Sequence, residues 1–350
     1  MSTASGGCAT ASRPPTWAAR PLSESAAGSG ARGATTPSPI VRSVDLRRSG
    51  HQRFEIVPQG PFDLQTAAAH FGGWPRIGGA IVMTFPVEGW QSSAAVVMRQ
   101  QAEQIVGEVH GAAAGDAERA WGQALATVSL DIDGRGFKEV GRRDPVIGSL
   151  QAEYHDLRPV LFHSPYEAAC AFLIGHRITI LQTRRIRARM AELAGASITV
   201  AGQTFHAFPE PRELLQLEQF PGVAGVKVER LHAAARAALE GMLVRDHLRA
   251  LPEAEAIQQL KTLPGIGDFF AQGILMRGAG LVDAVTDDDL TPRAIQLLYR
   301  LKDRPDHAAV LKRAEAWRPY RMWTVVLLNV WLRSQPPEVI GRRQIRHRRK

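Results

Sequence analysis

Residues 260–278 read Leu260-Lys-Thr-Leu-Pro-Gly-Ile-Gly-Asp-Phe-Phe-Ala-Gln-Gly-Ile-Leu-Met-Arg-Gly278. One helix is expected to end near Thr262, a Pro264-Gly265-Ile266-Gly267 turn follows, and a second helix opens around Asp268. Glycine lets the chain turn tightly because no Cβ stands in the way. The turn also directs the backbone N–H groups of Gly265, Ile266 and Gly267 outward at a helix N-terminus. Such a site holds a phosphate without reading sequence. Taken alone, the same four residues fit a plain helix–turn–helix corner equally well.

The chain continues Asp283-Ala-Val-Thr-Asp-Asp-Asp-Leu-Thr-Pro-Arg-Ala294, an acidic cluster that opens another helix near Pro292. On composition alone an aspartate there is a helix cap. Together the two stretches closely resemble the helix-hairpin-helix DNA glycosylases, specifically the 3-methyladenine DNA glycosylase II branch. In that branch Leu-Pro-Gly-Ile-Gly is followed by Arg-Gly, then by two aspartates with five residues between them, the second being catalytic. Here Gly267, Arg277-Gly278, Asp283 and Asp289 follow that order without a gap. The resemblance therefore assigns Asp289 as catalytic, with Asp288 as the fallback, and Leu263, Gly265, Ile266 and Gly267 as contacts to DNA backbone.

Other segments carry the same likeness, which spans roughly 54–333. Phe54-Glu-Ile-Val-Pro-Gln-Gly-Pro-Phe-Asp-Leu64 resembles the family's opening domain, and Arg143-Asp-Pro-Val-Ile-Gly148 and Leu157-Arg-Pro-Val160 resemble its domain junction. Ser164-Pro-Tyr-Glu-Ala-Ala169 and Ala207-Phe-Pro-Glu-Pro-Arg-Glu-Leu214 resemble its helical domain, and Trp317-Arg-Pro-Tyr-Arg321 its closing helix.

Breaking an N-glycosidic bond leaves positive charge on the deoxyribose, which a carboxylate beside C1′ stabilises while orienting water. An alkylated base is already a good leaving group, so one buried aspartate suffices. Bifunctional relatives carry a nucleophilic lysine two residues after the hairpin glycine. That position is Phe269 here, which implies a monofunctional enzyme that leaves the strand uncut.

Base excision also needs a plug for the gap and a pocket for the flipped base. The resemblance places the plug in Gly175-His-Arg-Ile178, with Arg177 as the wedge, although a wedge is usually apolar. Phe269 keeps an aromatic face for a cationic base. Gly273 stands where the best-known member has a tyrosine, and Asn329 where it has a tryptophan. Tyr320 and Trp323 are the candidates for the missing surface, with Trp331 behind them. His155, His163 and His206 show no ligand spacing. No cofactor is required on this reading, and no metal. The one ion it leaves room for is a monovalent cation at the hairpin, over 263–267.

Composition bounds the rest. The chain has 350 residues, 45% hydrophobic and 22% charged, ordinary for a globular protein of two or three domains. Two cysteines, Cys8 and Cys170, rule out a disulfide scaffold and any four-cysteine metal site. The longest apolar run, 324–332, is far short of a membrane span of roughly 20 residues, and residues 1–48 hold no continuous apolar stretch, so no secretory signal is expected. The net charge of +9 is concentrated at the two ends: six Arg against Glu24 and Asp45 in 1–50, five Arg and Lys350 at the other. That leaves the body near neutrality, so charge alone does not establish a DNA partner.

The expected fold is α+β. A tail over 1–48, disordered by composition, precedes a small N-terminal domain with an antiparallel sheet over 49–155. A mostly helical helix-hairpin-helix domain over 156–335 and a basic tail over 336–350 follow. Strands are expected at 54–57 and 79–85, an apolar run at 94–98 and helical spacing at 102–109. Ser164, Pro165 and Glu167 mark a helix start with a capping box. Further helices are expected at 212–219, 227–243, 252–262, 269–278, 292–301 and 321–332. The implied activity is release of alkylated purines from damaged double-stranded DNA by a cytoplasmic, nucleoid-associated monomer. The rivals are a glycosylase for oxidised or mismatched bases and a DNA-binding module without chemistry.

Overall fold

A computed structural model describes residues 42–44, 51–71 and 73–340. Most of the expected basic ends, at 1–41 and 341–350, therefore lies outside the described residues.

Six strands form one antiparallel sheet in the order β1-β2-β6-β5-β4-β3. They are β1 (Arg42–Val44), β2 (Gln52–Ile56), β3 (Arg76–Ile77), β4 (Ala80–Pro86), β5 (Ser93–Gln101) and β6 (Gln104–His110). Helix α1 (Leu64–Phe71) lies between β2 and β3, and α2 (Ala117–Thr127) follows β6. Two expectations change here. β1 falls inside the presumed tail, where it pairs Ser43 with Phe54; an edge strand needs backbone partners, not apolar composition. Residues 102–109 are not helix: 102 and 103 turn the chain from β5 into β6, and Ile105, Val106 and Val109 of β6 are buried against neighbouring strands. Gly107 explains the misleading pattern, because Trp121 of α2 presses on it so closely that a Cβ would lie 2.1 Å from the indole.

The remaining chain is mostly helical. Helices α3 (Phe137–Arg143) and α4 (Pro145–Glu153) lead to α5 (Pro165–Gly175) and α6 (Ile180–Ala194). A hairpin of β7 (Ser197–Val200) and β8 (Gln203–His206), absent from the sequence reading, packs Ile198, Val200 and Phe205 on Ala80, Val82, Ala95 and Val97 of the sheet. Then come α7 (Pro211–Leu214), α8 (Gly225–Leu239), α9 (Arg245–Ala250), α10 (Glu253–Lys261) and α11 (Asp268–Ile274), which runs into a π turn over Leu275–Ala279. Helices α12 (Leu290–Leu298), α13 (His307–Ala314), α14 (Arg321–Ser334) and α15 (Pro337–Ile340) close the chain. None of the helices among the described residues is long and apolar enough to cross a membrane.

Several of the segments that carry the resemblance turn out to be joints. Arg158, fully buried, donates to the carbonyls of Gln59, Pro61, Ser129 and Ile132, which ties the opening segment to the helices across the boundary expected near 155. Burial pushes its guanidinium down to about 10. Asp144 caps α4 and accepts from Trp317 Nε1 at 2.9 Å and from the Tyr299 hydroxyl. Asp283 is bridged by Arg318 and by Arg321 Nε at 2.7 Å, so one aspartate of the motif holds the closing segment.

Helix α5 is buried on nearly every side, as its apolar sequence requires. Ser164 caps it, accepting from the Glu167 N–H at 3.1 Å. Glu167 does not complete the expected capping box. Its carboxylate instead takes Arg187 of α6 at 2.8 Å and His163 at 3.2 Å. Burial alone would raise that carboxyl, but His163 and Arg187 hold it below its usual range. Glu167→Gln should therefore cost roughly 3 kcal/mol at neutral pH, the lower end for breaking a buried pair. A depressed carboxyl stabilises the fold above its unfolded value near 4.5 and loses that contribution as pH falls through the folded value. Denaturant melts of the two proteins should accordingly converge in acid; a gap that is constant with pH would show that the charge is irrelevant.

Candidate nucleic-acid interface

The hairpin forms as expected between α10 and α11. Gly265 has φ +88°, a left-handed conformation that glycine adopts freely. A Cβ there would also meet Arg230 of α8, whose Cδ lies 2.7 Å from the position it would occupy. Gly267 is different: its backbone is extended and a Cβ would meet nothing within 4 Å. Leu263 and Ile266 are buried beneath the turn. Ile266 N–H is spent on the Leu263 carbonyl at 3.1 Å, so it is not one of the outward donors the sequence suggested. Gly267 precedes the first turn of α11, whose dipole favours an anion there.

Three cations surround this turn and the one that follows α5. Lys227 Nζ donates to the carbonyls of Ile174 at 2.7 Å and His176 at 2.8 Å, closing the C-terminal end of α5. Arg177 sits at the apex of the α5–α6 turn, exposed, with φ 61°. Thr179 and Gln182 then form a capping box that fixes the start of α6. His176 is held below its ordinary value by desolvation and then by Arg177, Lys227 and Arg230. Sequence reasoning missed Lys227 and Arg230; a basic pair three residues apart on one helix was the available signal. Asp268 works against this field from the first turn of α11, partly offset by Lys261 at 2.7 Å.

The acidic loop before α12 separates its aspartates by role. Asp288 is wholly engaged: it accepts from the N–H groups of Leu290 at 2.7 Å and Thr291 at 2.8 Å, and from the hydroxyls of Thr286 and Thr291. It is the cap. Asp289 makes no side-chain cap bond and its side chain is 74% exposed, with Arg304 at 3.5 Å. The carboxylate is thus open to solvent, not buried as expected. Asp287 N–H donates to Gln272 of α11 at 3.1 Å, which fixes the loop to the hairpin's second helix.

The proposed aromatic surface divides. Phe269 is 54% exposed on α11. Tyr320 and Trp323 are core residues, 8% and 2% exposed, and this corrects their assignment to a pocket. Phe137 packs on both rings, Arg158 lies over the Trp323 face at 5.3 Å, and the Tyr320 hydroxyl is tied to Asp133 O. Both rings pack in the core, the usual fate of aromatics at helical spacing, although the buried Trp323 indole N–H finds no hydrogen-bond partner there. Phe172 of α5 instead reaches α11, where its ring tip covers Gly273. Among the described residues, no group of three or more His, Cys, Asp or Glu side chains is placed to hold a metal.

No family model matches the chain. A DNA-3-methyladenine glycosylase of Bacillus subtilis (strain 168) is 24% identical over 205 residues, covering 57% of this chain and 67% of that protein. DNA-3-methyladenine glycosylase 2 of Escherichia coli (strain K12) is 28% identical over 203 residues, 55% of this chain and 66% of that one. The chain thus aligns with about two thirds of the length of these relatives. A solved 3-methyladenine DNA-glycosylase from Archaeoglobus fulgidus has a TM-score of 0.65 at 18% identity, covering 80% of this chain and 98% of that chain, which shows a shared fold.

Two substitutions test the hairpin as a phosphate site. Gly267→Asp puts a carboxylate where the backbone faces out, and should weaken duplex binding on the order of tenfold to a hundredfold, equally for all DNA sequences. Asp268→Asn removes a charge that opposes phosphate and should tighten binding several-fold, with a steeper salt dependence. Fluorescence anisotropy on undamaged duplexes reads both. Unchanged affinity in both variants would make the hairpin a structural corner.

Proposed function

We propose that the chain is a helix-hairpin-helix DNA glycosylase of the 3-methyladenine DNA glycosylase II branch, and that it hydrolyses the N-glycosidic bond of alkylated purines in duplex DNA. The observation that carries the reading is the division of labour in the acidic loop. Asp288 is consumed by capping, whereas Asp289, next to it, leaves its carboxylate largely exposed, 3.5 Å from Arg304, in a loop that Asp287 N–H ties to the hairpin helix.

In this reading the hairpin amides of Gly265 and Gly267 hold one phosphate, with Arg230 and the α11 dipole adding positive charge. Arg177, raised at the apex of its turn, enters the duplex and hydrogen-bonds the base left unpaired. The C1′–N bond of the flipped nucleotide lengthens, and the base leaves with the bonding electrons, which neutralise its positive ring. Asp289 stabilises the cation left on the sugar and orients a water whose oxygen bonds to C1′; the water's proton passes to the carboxylate and on to solvent. DNA covering the exposed Asp289 removes solvent and strengthens this attraction. Phe269 occupies the position where a lysine would attack C1′, so no covalent imine forms and the strand stays intact. We read the active species as a monomer that needs no cofactor, acts on damaged duplex in the cytoplasm at the nucleoid, and has its expected domain boundaries near 155 and 335.

The test is incubation with methylated duplex DNA, scoring base release and strand breaks separately. Methylated purines should appear while the strand stays intact until alkali is added, and borohydride should trap no protein–DNA adduct. A trapped adduct would contradict the monofunctional chemistry, and absence of any base release would contradict the activity itself.

A further inference from the structure

We propose that the outward face of α6 is a second DNA-binding surface, on which Arg184 and Arg185 hold phosphates of the strand opposite the damaged nucleotide. Helix α6 carries no acidic residue between Ile180 and Ala191, and its four arginines divide by direction. Arg187 turns inward to Glu167 at 2.8 Å and lies over the Phe162 and Phe208 rings. Arg189 is paired with Glu192 at 3.1 Å. Arg184 and Arg185 are exposed, and among the described residues neither has a hydrogen bond or an ion pair. Leu181 stands three and four residues before them, so the three side chains form one stripe. Leu181 is 58% exposed and its neighbour Ile180 64%. An apolar turn followed by unpaired guanidinium groups suits a nucleic-acid surface, where apolar atoms lie against sugars and arginines reach phosphate oxygens. The stripe is also continuous with Arg177, because the Thr179–Gln182 capping box joins that apex directly to the first turn of α6.

The position of α6 relative to the hairpin selects the strand. Helix α6 packs on α5 and β8, while α5 packs in turn on α11. Among the described residues no hydrogen bond or ion pair joins α6 to α10 or α11. In the proposed reaction the hairpin holds the strand that carries the flipped nucleotide, and Arg177 enters between the strands. Arg184 and Arg185 lie past Arg177, with α5 between them and the hairpin, so the phosphates they meet belong to the other strand. This inference rests on the glycosylase reading and adds to it a reason for acting on duplex in preference to single-stranded DNA.

Arg184→Ala/Arg185→Ala should melt like the parent, since alanine suits an exposed helix position. In fluorescence anisotropy its affinity for undamaged duplex should fall on the order of tenfold, and its salt dependence should become shallower by about 1 to 2 in log–log slope. Affinity for a single strand of the same sequence should change by less than about twofold. Arg184→Lys/Arg185→Lys should keep most of the duplex affinity, because a phosphate also accepts a point charge. A duplex with one tetrahydrofuran abasic site and uncharged methylphosphonate linkages in the opposite strand should bind the parent more weakly than its fully charged counterpart. The alanine double variant should not feel that replacement. Unchanged duplex affinity in the double variant would overturn the inference and leave α6 a solvated face. Equal losses on duplex and single strand, or sensitivity to neutral linkages in the damaged strand alone, would overturn the assignment to the opposite strand. Binding of the parent to phosphatidylglycerol vesicles that the double variant loses while keeping its duplex affinity would overturn it in favour of a lipid surface. None of these readouts requires base release, so a protein that binds as described and releases no base contradicts the proposed reaction and not the surface.

Discussion

The site depends on the close approach of α5 to the second helix of the hairpin. Two residues lacking a Cβ make it possible. At Gly278 a Cβ would lie 2.8 Å from Pro165 Cα and 2.9 Å from Ala168 Cβ, and at Gly273 it would strike the Phe172 ring. The contact is reinforced by backbone: Phe162 N–H donates to Arg277 O at 2.8 Å, and Arg277 Nη2 donates to Val160 O at 2.7 Å. Interiors at crystal-like density transmit such a constraint along rigid helices. Because α5 is held at its start by the π turn and along its length by α11, its C-terminal turn is carried to the hairpin. Arg177, the hairpin turn and the acidic loop all take their positions from that one packing.

The charged groups at these joints are largely engaged by other parts of the protein. Arg158, Asp144, Asp283 and Arg277 each bind backbone carbonyls, indoles or arginines that join distant parts of the chain. A buried charge is costly unless it is fully partnered, and breaking one partner costs more than the pair contributes. These residues therefore join distant parts of the scaffold. The groups left facing out are fewer: Gly267, Phe269, Asp289 and Arg177, with Lys227 and Arg230 behind them.

The helical half was legible because its signals are local. Ser164-Pro165 starts α5, Gly265 bends the hairpin and Pro-rich turns separate the later helices, all within one turn of chain. The strand at Gln104–His110 was not, since its pattern is shaped by Trp121 resting on Gly107, a contact between residues fourteen apart. The β7–β8 hairpin is short and acquires its meaning only against the sheet. At the site, the aspartate register read from sequence picked out the uncapped carboxylate, but exposure, burial of Tyr320 and Trp323, and the ring of Phe172 over Gly273 depend on tertiary contacts.

The central claim is that two adjacent aspartates do different work, one holding α12 and one acting on the sugar. It is tested most directly by single-turnover base release and thermal melting of Asp288→Asn and Asp289→Asn side by side. Asp289→Asn should melt like the parent, bind duplex within several-fold of it and release no measurable base. Asp288→Asn should melt lower, by about 1 kcal/mol for a weakened cap, and still release base. An active Asp289→Asn beside a fully folded, inactive Asp288→Asn would contradict the assignment.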